Sequence, residues 1–204
     1  MPGYGDSQSH DAGWRRDSGA AMSAIASFYL LDRSAVPGLA QAANAEPVMI
    51  PAAAHRWPVI GKFRNRIGWR NPTSSIMVVP VYNYLQENDL GVSGGLYDWS
   101  GYALMHLMVL LEDTGTTLGT AEYRAETEAV NAVYELTYLI TSADKRHLAA
   151  LDPARLDRAA AERYFDGAGG GFEEVQQALD DGLILLHRLI AALHDNEVLV
   201  IHIG

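Results

Sequence analysis

Apolar and polar positions change their period several times along the chain. Ser23 to Leu31, SAIASFYLL, has the β-branched and aromatic content of a buried strand. SAVPGLAQAANA then predicts a short helix from about Ala35, because Pro37 is tolerated only in a first turn; Asp32 or Ser34 can cap it. Between 46 and 78 no period is sustained, and Pro47, Pro51, Pro58 and Pro72 interrupt the chain. So long a stretch without regular structure is unusual inside a compact domain and is often functional. Val79 to Asn88 predicts a helix with Pro80 at its start.

After the Gly-rich link GVSGG comes the most apolar segment, WSGYALMHLMVLLEDTG. It is apolar around nearly its whole circumference from Ala103 to Leu111, so a central helix covered on several sides is expected. Asp98 or Ser100 can cap it, and Gly115 can end it. Thr120 should cap a helix over AEYRAETEAVNAVYEL, and TYLIT, 137–141, predicts a short strand or extended connection. Ser142 opens another helix through Leu151. Asp152-Pro153 starts the next, which GAGGG ends. In the last helix, about Glu173 to His194, Leu179, Leu183, Leu186, Ile190 and Leu193 alternate by four and three and mark one buried face. EVLVIHIG closes the chain as a strand.

Apolar strands at the two ends of a domain commonly pair and tie the termini down. The expected fold is α+β: a small sheet including the N-terminal (about 23–31) and C-terminal (about 197–203) strands, flanked by about five or six helices. There is no solenoid repeat and no regular strand–helix alternation. Residues 1–21 are expected to be a polar leader, tag-like or docked through Trp14 or Tyr4. Residues 22–204 then form one domain with the irregular insertion 46–78.

The two ends also carry a resemblance. "IASFYLLDRSAVPGL" at the start, and "YLIT", "SADKRHLAALDP" and "EVLVIHI" in that order toward the end, resemble the small bacterial proteins called YfbM-like. The resemblance covers about 80 residues in the order and patterning of elements. It implies an α+β fold and supplies no activity; the middle, 46–118, has no counterpart. Ala- and Arg-rich usage points to a high-GC bacterium.

The chain has 204 residues and a formal charge of -10, which opposes unspecific attraction to nucleic acid or anionic membrane. With no cysteine, disulfides, thiolate nucleophiles and Cys-ligated metals are excluded, and a cytoplasmic location is expected. P-loop, nucleophile-elbow and zincin motifs are absent, and GAGGG lacks a dinucleotide fingerprint's strand and spacing; no cofactor is expected.

Against the acidic whole, HRWPVIGKFRNRIGWRNP, 55–72, holds five of the fifteen basic side chains: Arg56, Lys62, Arg64, Arg66 and Arg70. Lys62, Arg64 and Arg66 alternate by two and would share a face of an extended segment, beside Trp57 and Trp69. Such a set suits a phosphate or carboxylate, an acidic partner, or the protein's own carboxylates, and a long polyanion least.

A second constellation is Trp99, Tyr102 and His106, spaced three and four apart along one helical face, with Asp98 at its start. An aromatic wall, a phenol and an imidazole could do acid–base work in a cavity. Equally, His106 could be a core histidine and Tyr102 packing. His202 shares a strand face with Val198 and Val200, and either points into a pocket beside the sheet or lies exposed near the chain end. Glu173, Asp180, His187 and His194 recur every seven residues, about 10.5 Å apart at ~1.5 Å rise per residue, too far for neighbouring ligands of one metal. They predict a solvated face, and no metal site is expected.

Two functions follow. One is a non-enzymatic interaction protein, immunity-like or accessory, that binds a protein partner through its acidic surface, its leader or the basic loop. The other is a small-molecule enzyme or binder for an anionic or aromatic substrate near Trp99, Tyr102 and His106. A homodimer is compatible with either.

Overall fold

The computed structural model describes residues 24–51, 75–92, 97–134, 136–165 and 172–204. The leader 1–21, the basic stretch 55–72 with Arg56, Trp57, Lys62, Arg64, Arg66, Trp69 and Arg70, and the glycine run 167–171 lie outside the described residues. In chain order the elements are β1 (Ala26–Asp32), α1 (Gly38–Ala43), β2 (Val48–Pro51), β3 (Ser75–Val78), α2 (Pro80–Asn88), α3 (Gly101–Asp113), α4 (Arg124–Asn131), β4 (Thr137–Thr141), α5 (Arg158–Phe165), α6 (Phe172–Ala192) and β5 (Glu197–Ile203). Short 3-10 helices over Ala121–Tyr123, Ser142–Leu151 and Pro153–Arg155 lie between them.

The fold is α+β, and the two terminal strands do pair. β5 is the centre of a three-stranded antiparallel sheet of order β1-β5-β4, with Phe28 opposite Ile201 on one side and Tyr138 opposite it on the other. Its run VLVIHI has almost no polar alternation, as expected of a strand covered on both faces. Leu199, Ile201 and Ile203 face a core built from α3, α5, α6 and the 3-10 helix Ser142–Leu151. Val198 and Val200 face a smaller core of α1, α2 and α4, with Leu31, Leu39, Leu85 and Val130. The sheet is thus the middle of three layers.

On both outer edges of this sheet, side chains and loops take up some of the outward-facing backbone groups. At β4, Thr137 N–H donates to Asn131 Oδ1 at 2.8 Å, and Asn131 Nδ2 donates back to the Thr137 carbonyl at 3.2 Å. Thr120 N–H donates to the Leu139 carbonyl at 3.2 Å, and Thr141 N–H to Asp144 Oδ2 at 3.0 Å. At β1, Leu30 N–H donates to Asp89 Oδ1 at 2.9 Å, and the Leu30 carbonyl accepts from Leu90 N–H at 2.7 Å. An open edge would template pairing with another chain, and these bonds interrupt it at Thr137, Leu139 and Thr141 on β4 and at Leu30 on β1.

Several helix boundaries match their caps. Pro80 opens α2, Ser100 Oγ accepts from Tyr102 N–H at the start of α3, and Gly115 follows α3 with φ +88°. Three expectations change. The insertion 46–78 is not irregular at its ends: β2 and β3 pair antiparallel, Met49 opposite Met77, and form a hairpin stem. Such short apolar runs acquire strand character only from each other, across more than twenty intervening residues. The helix expected to run from Thr120 toward Leu136 ends at Asn131, whose amide turns back to hold β4. The helix expected after Asp152-Pro153 breaks, because Asp157 supplies a new cap, accepting from Ala160 N–H at 3.0 Å, and α5 starts only at Arg158. Among the described residues no helix is long and apolar enough to cross a membrane.

Candidate functional site

The aromatic–imidazole stripe is distributed over different environments. Trp99 is buried, and its indole Nε1–H donates to Asp181 Oδ2 on α6 at 2.8 Å. Tyr97, just before it, is buried and donates to the Ala178 carbonyl at 3.0 Å; burial, with the Asp181 charge, pushes its phenol well above the ordinary range. These two aromatic side chains fasten the α3 entry onto α6. Tyr102 is exposed, as is Asp98, and Ser100 rather than Asp98 caps α3. His106 is half-buried and stands edge-on to Phe165 of α5, ring centroids 5.5 Å apart.

Burial holds the His106 imidazole below its ordinary pKa. The neutral ring therefore favours the folded chain, and a proton on it favours the unfolded one. This contribution is present above the ordinary imidazole pKa and is lost as pH falls through the lowered one. Urea midpoints of wild type and His106→Gln should show the wild type losing ground to the variant between pH about 7.5 and about 5. Parallel midpoints across that range would contradict it.

His202 points into the smaller core, 3% exposed. Its Nδ1 lies 2.9 Å from Thr137 Oγ1 and its Nε2 3.0 Å from the Tyr82 hydroxyl, with the Tyr82 ring edge-on at 5.1 Å. Each hydroxyl can donate or accept, so whichever nitrogen carries the hydrogen, both bonds form. The arrangement joins α2, β5 and β4 in one polar bridge, buried at Thr137 and His202 and half-buried at Tyr82. Tyr82 and Thr137 carried no signal in the sequence, since neither sits in a local pattern with His202.

Among the described residues, cavities lie elsewhere. The first, about 450 Å³, is a groove between α6 and the two 3-10 helices that precede α5, lined by Leu148, Leu151, Arg155, Ile184, His187 and Arg188 among others. A second, about 220 Å³, lies beside Leu30, Leu193, His194 and Glu197. A third, about 470 Å³, lies under the hairpin stem, between Val48, Val78 and residues of α1 and α2, including Gly38 and Tyr84. The seven-residue line on α6 divides: His187 and His194 are exposed, as a solvated face predicts, but His187 also lines the first groove and Asp180 pairs with Arg158 at 2.8 Å. Among the described residues no three potential ligands gather as a metal site would require.

The hairpin stem presents apolar side chains to solvent. Val48, Met49 and Met77 are 55%, 61% and 59% exposed, and Met49 and Met77 stand opposite each other in the register, which puts them on one face. No family model, no curated protein and no solved structure matches the chain.

Proposed function

We propose that this is a non-enzymatic interaction protein, of the immunity-like or accessory kind, that binds a protein partner through the insertion rooted in β2 and β3. The observation that carries this is the solvent-exposed Met49–Met77 pair, which shares one face of the hairpin stem. Unbranched thioether side chains adapt to a partner's contour, and contiguous exposed apolar groups mark interaction sites. The insertion continues from this stem into the basic stretch 55–72, so an acidic partner surface fits best. Trp99, the aromatic wall of the acid–base alternative, is engaged by Asp181 instead of facing the three cavities above. Kinship to the YfbM-like proteins belongs to the same proposal, supported by the order of terminal elements, and adds a fold without an activity.

Purified chain added to extract of its own host and treated with an amine-reactive cross-linker, which acts at lysines that the variant below keeps, should form one discrete cross-linked adduct. Met49→Asp/Met77→Asp should abolish it while leaving the melting temperature nearly unchanged, since both side chains are exposed. An adduct of twice the chain's mass would identify the partner as a second copy. Persistence of the same adduct in the double variant would refute the role of the stem.

A further inference from the structure

The groove between α6 and the 3-10 helices Ser142–Leu151 and Pro153–Arg155 has a floor and a rim of different chemistry. Leu148, Ala149 and Leu151 form one side, and Ile184 of α6, 54% exposed despite its size, forms the other. Ile184, His187 and Arg188 share a helical face by the three- and four-residue spacing, so α6 brings an apolar contact, an imidazole and a guanidinium to the same opening. Arg155 enters from the second 3-10 helix, across the groove from Arg188.

The cations here are not paired with any carboxylate among the described residues. Among the described residues the ion pairs are Arg33–Glu122 and Arg158–Asp180, which leaves Arg155 and Arg188 without a carboxylate partner. The one acid of the lining, Asp152, caps the turn that carries Arg155, accepting from Ala154 N–H at 2.9 Å. Two arginines against one aspartate leave the lining net positive even before His187 is counted, on a chain whose overall charge is -10. Arginines contributed by two different elements of one lining suit a planar or tetrahedral oxyanion, since each guanidinium can give two parallel bonds. A volume of about 450 Å³ is in the range of small-molecule sites, and the leucine–isoleucine floor suits a hydrocarbon or aromatic body.

We propose that this groove binds a small organic anion: one carboxylate or phosphate head held between Arg155 and Arg188, with an apolar body on Leu148, Leu151 and Ile184. The site lies on the α6 side of the sheet, whereas the hairpin stem packs over α1 and α2, so it is separate from the partner surface proposed above. Long-range repulsion by the acidic chain makes the contact a short-range one and favours a compact anion over a polymer.

The test uses three probes of equal apolar body on the full chain, followed by 1H–15N correlation spectra: 2-naphthoate, 2-naphthyl phosphate and the neutral 2-naphthylmethanol. Either anion should give saturable shifts at the amides of Ala149, Asp152, Arg155 and Arg188, and the tighter of the two identifies the head group. The neutral probe should bind at least about tenfold more weakly, and Arg155→Gln/Arg188→Gln should weaken the anions by about tenfold or more while keeping the spectral dispersion of the wild type. Ile184→Asp should weaken both anions as well. Shifts centred elsewhere, equal binding of the neutral probe, wild-type affinity in the double arginine variant, or no saturable shift with either anion would each overturn the assignment.

Discussion

Replacing His202 with alanine should lower the free energy of unfolding by about 3 to 5 kcal/mol, one of the largest single-site losses in the chain. The imidazole sits 3% exposed between the Thr137 and Tyr82 hydroxyls. Its removal deletes a buried hydrogen bond to Thr137 and a half-buried one to Tyr82, leaves a cavity on the smaller-core side of the sheet, and strips the buried Thr137 hydroxyl of its partner at about 1 to 3 kcal/mol. The bridge also reaches the sheet edge, because Thr137 is the residue whose backbone Asn131 holds. Urea titration at fixed pH reads the loss directly. His202→Gln, which can restore one bond, should recover part of it, and a loss under about 1 kcal/mol for the alanine variant would show the bridge to be dispensable.

A valine at position 182 should cost about 3 kcal/mol. Gly182 lies in the interior of α6, where glycine is about 1 kcal/mol poorer than alanine on propensity alone. A Cβ there would stand 2.8 Å from Leu107 Cδ2 and 3.5 Å from Tyr97 Cε2, both side chains fully or nearly fully buried. Glycine is thus the condition for α3 to approach α6 closely. Gly182→Ala gains propensity and loses packing, so its net effect should stay well below that of Gly182→Val, whose branched carbons have no space. Thermal unfolding of the pair separates the two contributions. A valine variant as stable as wild type would mean that α3 and α6 can move apart without loss.

The elements that the sequence made legible are those whose signals are local. TYLIT, expected as a short strand or an extended connection, is β4 residue for residue, because its β-branched and aromatic run is bounded by a capping serine. The leucine seam of α6, the first-turn proline of α2 and the serine cap of α3 were equally local. The hairpin stem was missed because VMIP and SIMV are each too short to declare themselves, and their register is a property of the pair. The site was less legible than the fold. Trp99, Tyr102 and His106 do lie three and four apart on or at the start of one helix, yet helical spacing says nothing of what stands opposite. Asp181 engages the first, solvent meets the second and Phe165 packs on the third. His187 was assigned to a solvated face correctly, but its neighbours Arg155 and Leu148, across the groove, come from another part of the chain.

By itself the sequence determined the order and nature of most elements and the absence of thiol chemistry, because these depend on period, composition and cap residues that act within a few positions; the pairing of the terminal strands was an expectation from their apolar character, and the sheet bears it out. Only the tertiary structure decided that β5 is central and covered on both faces, that Asn131, Asp144 and Asp89 bond to the sheet edges, and that His202 bonds Tyr82 and Thr137. Each of these joins groups far apart in the chain, and a hydrogen bond or a cavity wall depends on distances that no local pattern contains.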